Sequence, residues 1–274
     1  MRRAIFASLF CLAASCGPSQ PAEEPPAVEP APEASAPKEE PPAPAEEAKP
    51  EDKPHWGYDG AGAPDKWGSL AEENAACGTG KAQSPIDIAG AKKGKLPPLK
   101  LHYKAAEAPE VVNNGHTIQV NYPSGSFVEI GGKRFELLQF HFHAPSEHTV
   151  DGKPSDMVVH LVHKAEDGQL GVVAVLLNKG AKNKVLDPVW QVMPKVEGKA
   201  TLEGKLDLMK LVPKDKKYYA YSGSLTTPPC TEGVSWNVIK KAATLSEEQI
   251  AAFKAIFHAN ARPVQPINDR VVSE

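Results

Sequence analysis

Residues 17–54 contain no aromatic residue and no Leu, Ile or Met, and their only β-branched aliphatic residue is Val28. Twelve of the chain's 27 prolines lie in this stretch. A segment with so little apolar surface to bury cannot offset the chain entropy that folding costs. Nine Glu, one Asp and three Lys give it a net charge of −7, and such a chain extends by self-repulsion. We therefore expect residues 16–54 to be a disordered tether that precedes a folded domain at 55–274.

The chain as a whole lacks a strong excess of positive charge and a long apolar run. Its formal net charge is −3 over 274 residues, and residues 55–274 carry +2, which excludes the strongly basic surface typical of nucleic-acid-binding proteins. No apolar stretch approaches the roughly 20 residues of a membrane-spanning helix. A small or uncharged substrate therefore suits residues 55–274 better than a polyanion, and we expect no nucleic acid as a partner.

The N-terminus has the pattern of a secretory signal peptide. Two Arg precede an apolar run of about a dozen residues that ends in small residues before Cys16. This pattern predicts that residues 1–15 are removed on export. The same stretch resembles a bacterial lipoprotein signal, whose first mature residue is a lipid-bearing Cys, although Ala13 replaces the more usual Leu. We expect a periplasmic or cell-surface protein that contacts the membrane only through an anchor at Cys16. Ordinary cleavage without lipidation fits the same residues.

Cysteine is scarce, with four residues in the chain. Cys11 belongs to the predicted signal peptide and Cys16 is the candidate lipid site, so Cys77 and Cys230 remain in the predicted domain. Two Cys in an exported domain most simply form one disulfide. Neither has the paired spacing of a thiolate metal site.

Residues 55–274 have mainly strand signals, which predicts a β-rich domain with helices at its edge. Runs of Val, Phe and Leu are bounded by turn residues such as the Gly131-Gly132 pair. Helical signals are few, and Ser246 is a candidate N-cap for the clearest of them. The predicted strands are Phe127–Ile130, Phe135–Phe142, Met157–His163 and Leu170–Leu177, and the predicted helices are Asp187–Met193 and Ser246–Ala259.

The candidate chemistry lies in histidines on two predicted strands. Because side chains alternate along a strand, Gln139, His141 and His143 share one face of the first strand. Two His at this spacing suit a zinc ion, and a third from the second strand would leave one open ligand position for water, as in catalytic zinc sites. His160 and His163 point to opposite faces of that second strand, and periodicity does not choose between them.

Several long strings in residues 55–272 resemble the α-class carbonic anhydrases. The resemblance implies a large, twisted, mainly antiparallel sheet with peripheral helices, and reversible hydration of carbon dioxide to bicarbonate by zinc hydroxide. It selects His160 rather than His163 as the third zinc ligand beside His141 and His143. The strings are QSPIDI (83–88), NNGHTIQV (113–120), QFHFHAPSEHTVDGK (139–153), MVVHLVHK (157–164), SGSLTTPPCTEGVSWNV (222–238) and RPVQPIN (262–268).

The same resemblance implies roles for further residues. Thr226 would accept a hydrogen bond from the zinc hydroxide and donate its own hydrogen to Glu147, with Thr227 beside them. His116 would carry the proton away, with Tyr58 near its water chain. The apolar wall that would hold carbon dioxide consists of Val162, Val172, Leu225, Val234 and Trp236. Cys77 and Cys230 match the disulfide pair of exported family members.

One position departs from the family pattern. Many members have a Glu two residues before the third ligand, where this chain has Val158. Zinc-bound histidines usually donate their other N–H to an acceptor. Gln139 can be that acceptor for His141. Val158 cannot accept, so His160 needs a backbone carbonyl, a water or another side chain.

Two alternative functions are a zinc-free binding or surface-display module of the same fold and a zinc esterase. The oligomeric state is unreadable from the sequence.

Overall fold

The computed structural model describes residues 55–274. The predicted signal peptide (1–15), the tether (16–54) and Cys16 lie outside the described residues and stay predictions. Within 55–274 the strands are β1 (Asp87–Ile88), β2 (Lys100–His102), β3 (Ala106–Glu107), β4 (Glu110–Asn113), β5 (Ile118–Asn121), β6 (Phe127–Ile130), β7 (Lys133–His143), β8 (Thr149–Val150), β9 (Lys153–Pro154), β10 (Met157–Ala165), β11 (Leu170–Lys179), β12 (Gly198–Thr201), β13 (Lys205–Leu206), β14 (Tyr218–Ser224) and β15 (Glu232–Leu245). The α-helices are α1 (Trp67–Leu70), α2 (Ala76–Thr79), α3 (Asp187–Val192) and α4 (Glu247–Lys254), and 3₁₀ turns lie at Gly60–Gly62, Glu72–Asn74 and Leu208–Lys210.

One large sheet organises the described residues. Its strand order is β12-β4-β5-β7-β10-β11-β15-β14, and β6 joins it by pairing with β7 and β2. Every neighbouring pair is antiparallel except β11 and β15. Smaller sheets are formed by β1-β8-β9 and β13-β3. The predicted fold class, mostly β with a large and mainly antiparallel sheet, is confirmed.

The alternation of side chains along the strands places the core on one face of this sheet. Phe140 and Phe142 on β7 and Leu161 on β10 are fully buried in the larger hydrophobic core. The predicted turn between β6 and β7 is also confirmed, because Gly131 and Gly132 have φ of 58° and 84°, which a two-residue hairpin turn requires. The intervening residues of β7 and β10 face the opposite side, where the candidate site lies.

The helices are few and short, and α3 and α4 pack against Phe142 of β7 through Trp190 and Phe253. In α4, Ser246 accepts a hydrogen bond from the backbone N–H of Gln249, and the Gln249 side chain accepts one from the N–H of Ser246. This reciprocal capping box fixes the start of the helix. None of the helices within residues 55–274 is long and apolar enough to cross a membrane.

The prediction that this last helix runs from Ser246 to Ala259 is wrong at its end. The helix stops at Lys254, and Ile256 donates its N–H to the carbonyl three residues earlier, which closes the chain into a tight turn. The turn carries Asn260 to β7, where its side chain and backbone form several hydrogen bonds. These tertiary bonds override the apolar periodicity that continues past Lys254.

Candidate functional site

Three histidines meet because of the register between β7 and β10. His160 pairs directly with His141, and His143 lies two residues further along β7 on the same face. One imidazole nitrogen from each lies within 4.8 Å of the others. The structure thus brings together the three ligands that the family resemblance implied.

His163, the alternative third ligand, lies on the other side of the sheet. Its Nε2 hydrogen-bonds the hydroxyl of Tyr103 at 2.9 Å, and both side chains are buried. Burial lowers the pKa of His163 to about 4, so this ring is a neutral partner within the core. The geometry therefore distinguishes His160 from His163, between which periodicity did not choose.

Two of the three histidines are oriented by a hydrogen bond at Nδ1. The Nδ1 of His141 bonds Oε1 of Gln139 at 2.9 Å, as expected. The Nδ1 of His143 bonds the backbone carbonyl of Asn260 at 2.7 Å. An acceptor at Nδ1 fixes the tautomer and leaves the Nε2 lone pair free for a metal. The sequence offered no signal for Asn260, because its contact joins residues 117 positions apart.

Among residues 55–274, the third histidine has no such partner. His160 Nδ1 and His143 Nε2 lie 3.8 and 3.6 Å from the same oxygen, Glu147 Oε2, so His160 presents Nδ1 to the shared space. Its Nε2 is buried and has no hydrogen-bond partner in residues 55–274. The buried Nδ1 of His148 has none either. Val158 offers no acceptor, and no protein group in the described residues compensates for it.

The electrostatics favour neutral rings with free lone pairs. Burial, reinforced by the neighbouring imidazoles, lowers the pKa of His141 and of His160 well below the ordinary value. His143 Nε2 is buried without a hydrogen-bond partner in the described residues, which suits an atom that binds a metal. Three imidazole nitrogens converging on one point form a typical donor set for catalytic zinc. The residues present therefore fit Zn²⁺.

Glu147 lies beside this group and is 2% exposed, which rules out a surface carboxylate. Burial raises the pKa of its carboxyl, while His143, the backbone N–H of Arg262 and the hydroxyl of Thr226 act in the opposite direction. The Arg262 N–H donates to Glu147 Oε1 at 2.9 Å. Thr226 is itself buried, and Thr227, which follows it, is half-buried.

A disulfide and a buried arginine hold the threonine loop in place. Cys77 and Cys230 are bonded, as expected, and Cys230 donates its N–H to the carbonyl of Thr227 at 2.8 Å. The guanidinium of Arg262 donates to the carbonyl of Cys77 at 2.9 Å, while its backbone N–H binds Glu147. The loop and the carboxylate are thereby positioned by one connected set of bonds. The sequence analysis gave Arg262 no role in this positioning.

The predicted apolar wall forms one cluster next to the histidines. Val162 of β10 pairs with Val172 of β11, which pairs with Trp236 of β15. Val234 belongs to the same buried cluster, and Leu225 packs against it. In the opposite direction along the same row, Val162 pairs with Gln139 of β7. The face that carries the histidines therefore changes from polar to apolar across the sheet.

His116 and Tyr58 lie among aromatic rings near the N-terminal part of the domain. His116, between β4 and β5, stacks on Trp56 with ring centroids 3.6 Å apart. The ring of Tyr58 packs edge-on against Trp56, and its buried hydroxyl has no partner in residues 55–274. Burial raises the pKa of this phenol, and the charge of Glu147 adds to the effect. Asn260 donates to the carbonyl of His116 at 3.0 Å, which ties this loop to β7.

Known proteins share this architecture. Residues 62–274 match the family model of eukaryotic-type carbonic anhydrase. Carbonic anhydrases of Neisseria gonorrhoeae and Klebsiella pneumoniae are each 48% identical, over 80% of this chain and 88% and 91% of those proteins. The structure of the α-carbonic anhydrase of Thermovibrio ammonificans with the inhibitor sulfanilamide has a TM-score of 0.78 at 48% identity, and covers 80% of this chain and 99% of that one.

The unpartnered Nε2 of His160 predicts weaker retention of zinc than a complete set of acceptors would give. A Val158→Glu variant supplies a carboxylate two residues from His160 on the same face of β10, so we expect it to release Zn²⁺ to a chelator about 10- to 100-fold more slowly. The measurement is the release rate followed with a coloured chelator. Val158→Leu, which adds no acceptor, should release zinc at the wild-type rate. Equal rates for all three proteins would mean that the N–H is satisfied in solution by another group.

Proposed function

The chain belongs to the eukaryotic-type carbonic anhydrase family, and we propose that it hydrates carbon dioxide with a zinc ion held by His141, His143 and His160 and a proton shuttle at His116. The observation that carries this proposal is the register of β7 and β10, which brings three imidazoles together beside the buried Glu147. The substrate is the small molecule carbon dioxide, and the product is bicarbonate.

Zinc bound by three neutral ligands would supply a hydroxide nucleophile near neutral pH by acidifying a water molecule. The protein's part is to hold the three nitrogens in the orientation that a metal requires. Gln139 and the carbonyl of Asn260 support this role, because each accepts the Nδ1 hydrogen of one histidine. Burial of His141 and His160 supports it further, because it lowers the pKa of both rings and so disfavours their protonation.

Thr226 and Glu147 would orient the attacking hydroxyl. A threonine hydroxyl has one hydrogen to donate. When Glu147 takes that hydrogen, the oxygen of Thr226 can only accept, so it accepts from the nucleophile and fixes the direction of its lone pair. The N–H of Arg262 holds the Glu147 carboxylate in place for this role, and the link from Cys230 to Thr227 holds the loop.

The apolar wall would receive carbon dioxide. The substrate is small and carries no charge, and the buried faces of Val162, Val172 and Trp236 provide a surface without competing hydrogen-bond groups. This composition argues against larger esters as the principal substrates. Bicarbonate is charged and is held poorly by such a surface, so it leaves for water.

His116 would accept the proton that each turnover releases. The ordinary pKa of histidine lies near neutrality, which suits a group that must both take and give a proton. Burial lowers the pKa of His116, the charge of His55 lowers it further, and Glu197 raises it. Tyr58 supports the path, because no group within residues 55–274 bonds its neutral hydroxyl, which can therefore bond water.

The zinc proposal predicts that His141→Ala abolishes rapid hydration. Losing one ligand should lower kcat/KM by at least on the order of 10²-fold, since the metal supplies several kcal/mol of stabilisation. The measurement is stopped-flow carbon dioxide hydration together with the zinc content of each protein. His102→Ala removes an exposed histidine outside the site and should leave the rate unchanged. Slow hydration by folded, zinc-loaded wild-type protein would overturn the proposal and favour a binding module.

The shuttle proposal predicts that His116→Ala lowers kcat on the order of tenfold or more at low buffer concentration. The value of kcat/KM should stay unchanged, because the hydration step does not use the shuttle. Added imidazole should restore kcat by carrying the proton itself. A variant with wild-type kcat at every buffer concentration would remove His116 from the mechanism.

We also propose that the protein is exported and anchored to the membrane through a lipid on Cys16. The signal-like N-terminus and the acidic tether support this proposal. We expect the wild-type protein in the membrane fraction of producing cells and the Cys16→Ser variant in the soluble exported fraction. The variant should keep the specific activity of the wild type. Metabolic labelling with a fatty-acid analogue provides a second readout. Unlabelled wild-type protein would show that export proceeds without lipidation.

A further inference from the structure

His55 makes a contact that the proposed mechanism does not use. Its Nε2 lies 3.1 Å from Nε2 of His116, although the two residues are 61 positions apart in the sequence. The next residue, Trp56, stacks on the His116 ring with an interplanar angle of 11°, and Trp56 packs edge-on against the buried Trp67. The first residues of the domain thus hold His116 from two sides.

The distance between the two rings has a chemical consequence. Two imidazole nitrogens at 3.1 Å form a hydrogen bond only when one carries a hydrogen and the other a lone pair. One proton therefore lies between the rings, and it can pass from one nitrogen to the other along the bond. A pair of this kind conducts a proton outward without an intervening water.

The surroundings favour movement of the proton towards His55. His116 is half-buried and stacked on Trp56, whereas His55 is exposed to solvent. A positive charge is better solvated at the exposed ring. The charged groups that act on His116 are His55 itself and Glu197, and Glu197 lies close to the backbone at Gly115.

We propose that His55 is the outer member of a two-histidine relay, and that it accepts the proton of His116 and releases it to buffer. This inference rests on the proposed function of His116. In the transfer, the N–H bond at Nε2 of His116 breaks and an N–H bond forms at Nε2 of His55. His55 then gives one proton to a buffer base, so the pair returns to its starting charge.

The test compares His55→Ala and His55→Gln in the full-length, zinc-loaded protein. Gln can keep a hydrogen bond to His116 but cannot carry a proton at neutral pH. We expect kcat at low buffer to fall on the order of fivefold in both variants, because His116 must then release its proton directly to buffer. The value of kcat/KM should not change, imidazole should restore kcat, and His102→Ala should behave as wild type.

Two further variants separate the failure of this inference from failure of the shuttle. If His55 acts through His116, the double variant His55→Ala/His116→Ala should match His116→Ala alone. Additive losses would overturn the relay, as would a His55→Gln variant with wild-type kcat, which would reduce His55 to a positioning residue. If His116→Ala itself leaves kcat unchanged, both the shuttle and the relay are wrong. A loss in His116→Ala without a loss in His55→Ala rejects the relay alone.

Discussion

The register between β7 and β10 is the constraint on which the rest of the site depends. Side chains alternate along a strand, so a slip of one residue would turn His160 away from His141 and bring His163 to their side. The observed pairing of His141 with His160 is stabilised by the core on the other face, where Phe140 pairs with Leu161 and both are fully buried. The hydrophobic contacts that fold the sheet thereby also fix the geometry of the three histidines proposed to bind zinc.

The sequence predicted those features that depend on local pattern. Alternating His and Phe on β7 identified the two faces, and Ser246 identified the start of the last helix. It did not predict the end of that helix, the parallel pairing of β11 with β15, or the bonds from Asn260 to β7, because each depends on residues far apart in the chain. The choice of His160 came from the family resemblance, and only the register explains it physically.

The histidines of the site differ in whether their second ring nitrogen has a hydrogen-bond acceptor, and this difference has a local cause. His141 has an acceptor on its own strand, Gln139, and His143 has one at the carbonyl of Asn260, whereas Nε2 of His160 and Nδ1 of His148 are buried without partners in the described residues. Buried donors that lack acceptors cost free energy. Val158 packs in the apolar cluster instead of supplying an acceptor, so this region favours hydrophobic packing at the expense of hydrogen bonding to the third histidine.

The strand order also separates the path by which the substrate would enter from the path by which the proton would leave. The apolar wall lies on β10, β11 and β15, to one side of the ligand-bearing β7. His116 lies in the connection between β4 and β5, to the other side of β7. Carbon dioxide would therefore approach from one side of the histidines while the proton leaves from the other. The proposed relay at His55 and His116 would then carry its charge without crossing the surface that must stay apolar for the substrate, so one sheet accommodates both requirements.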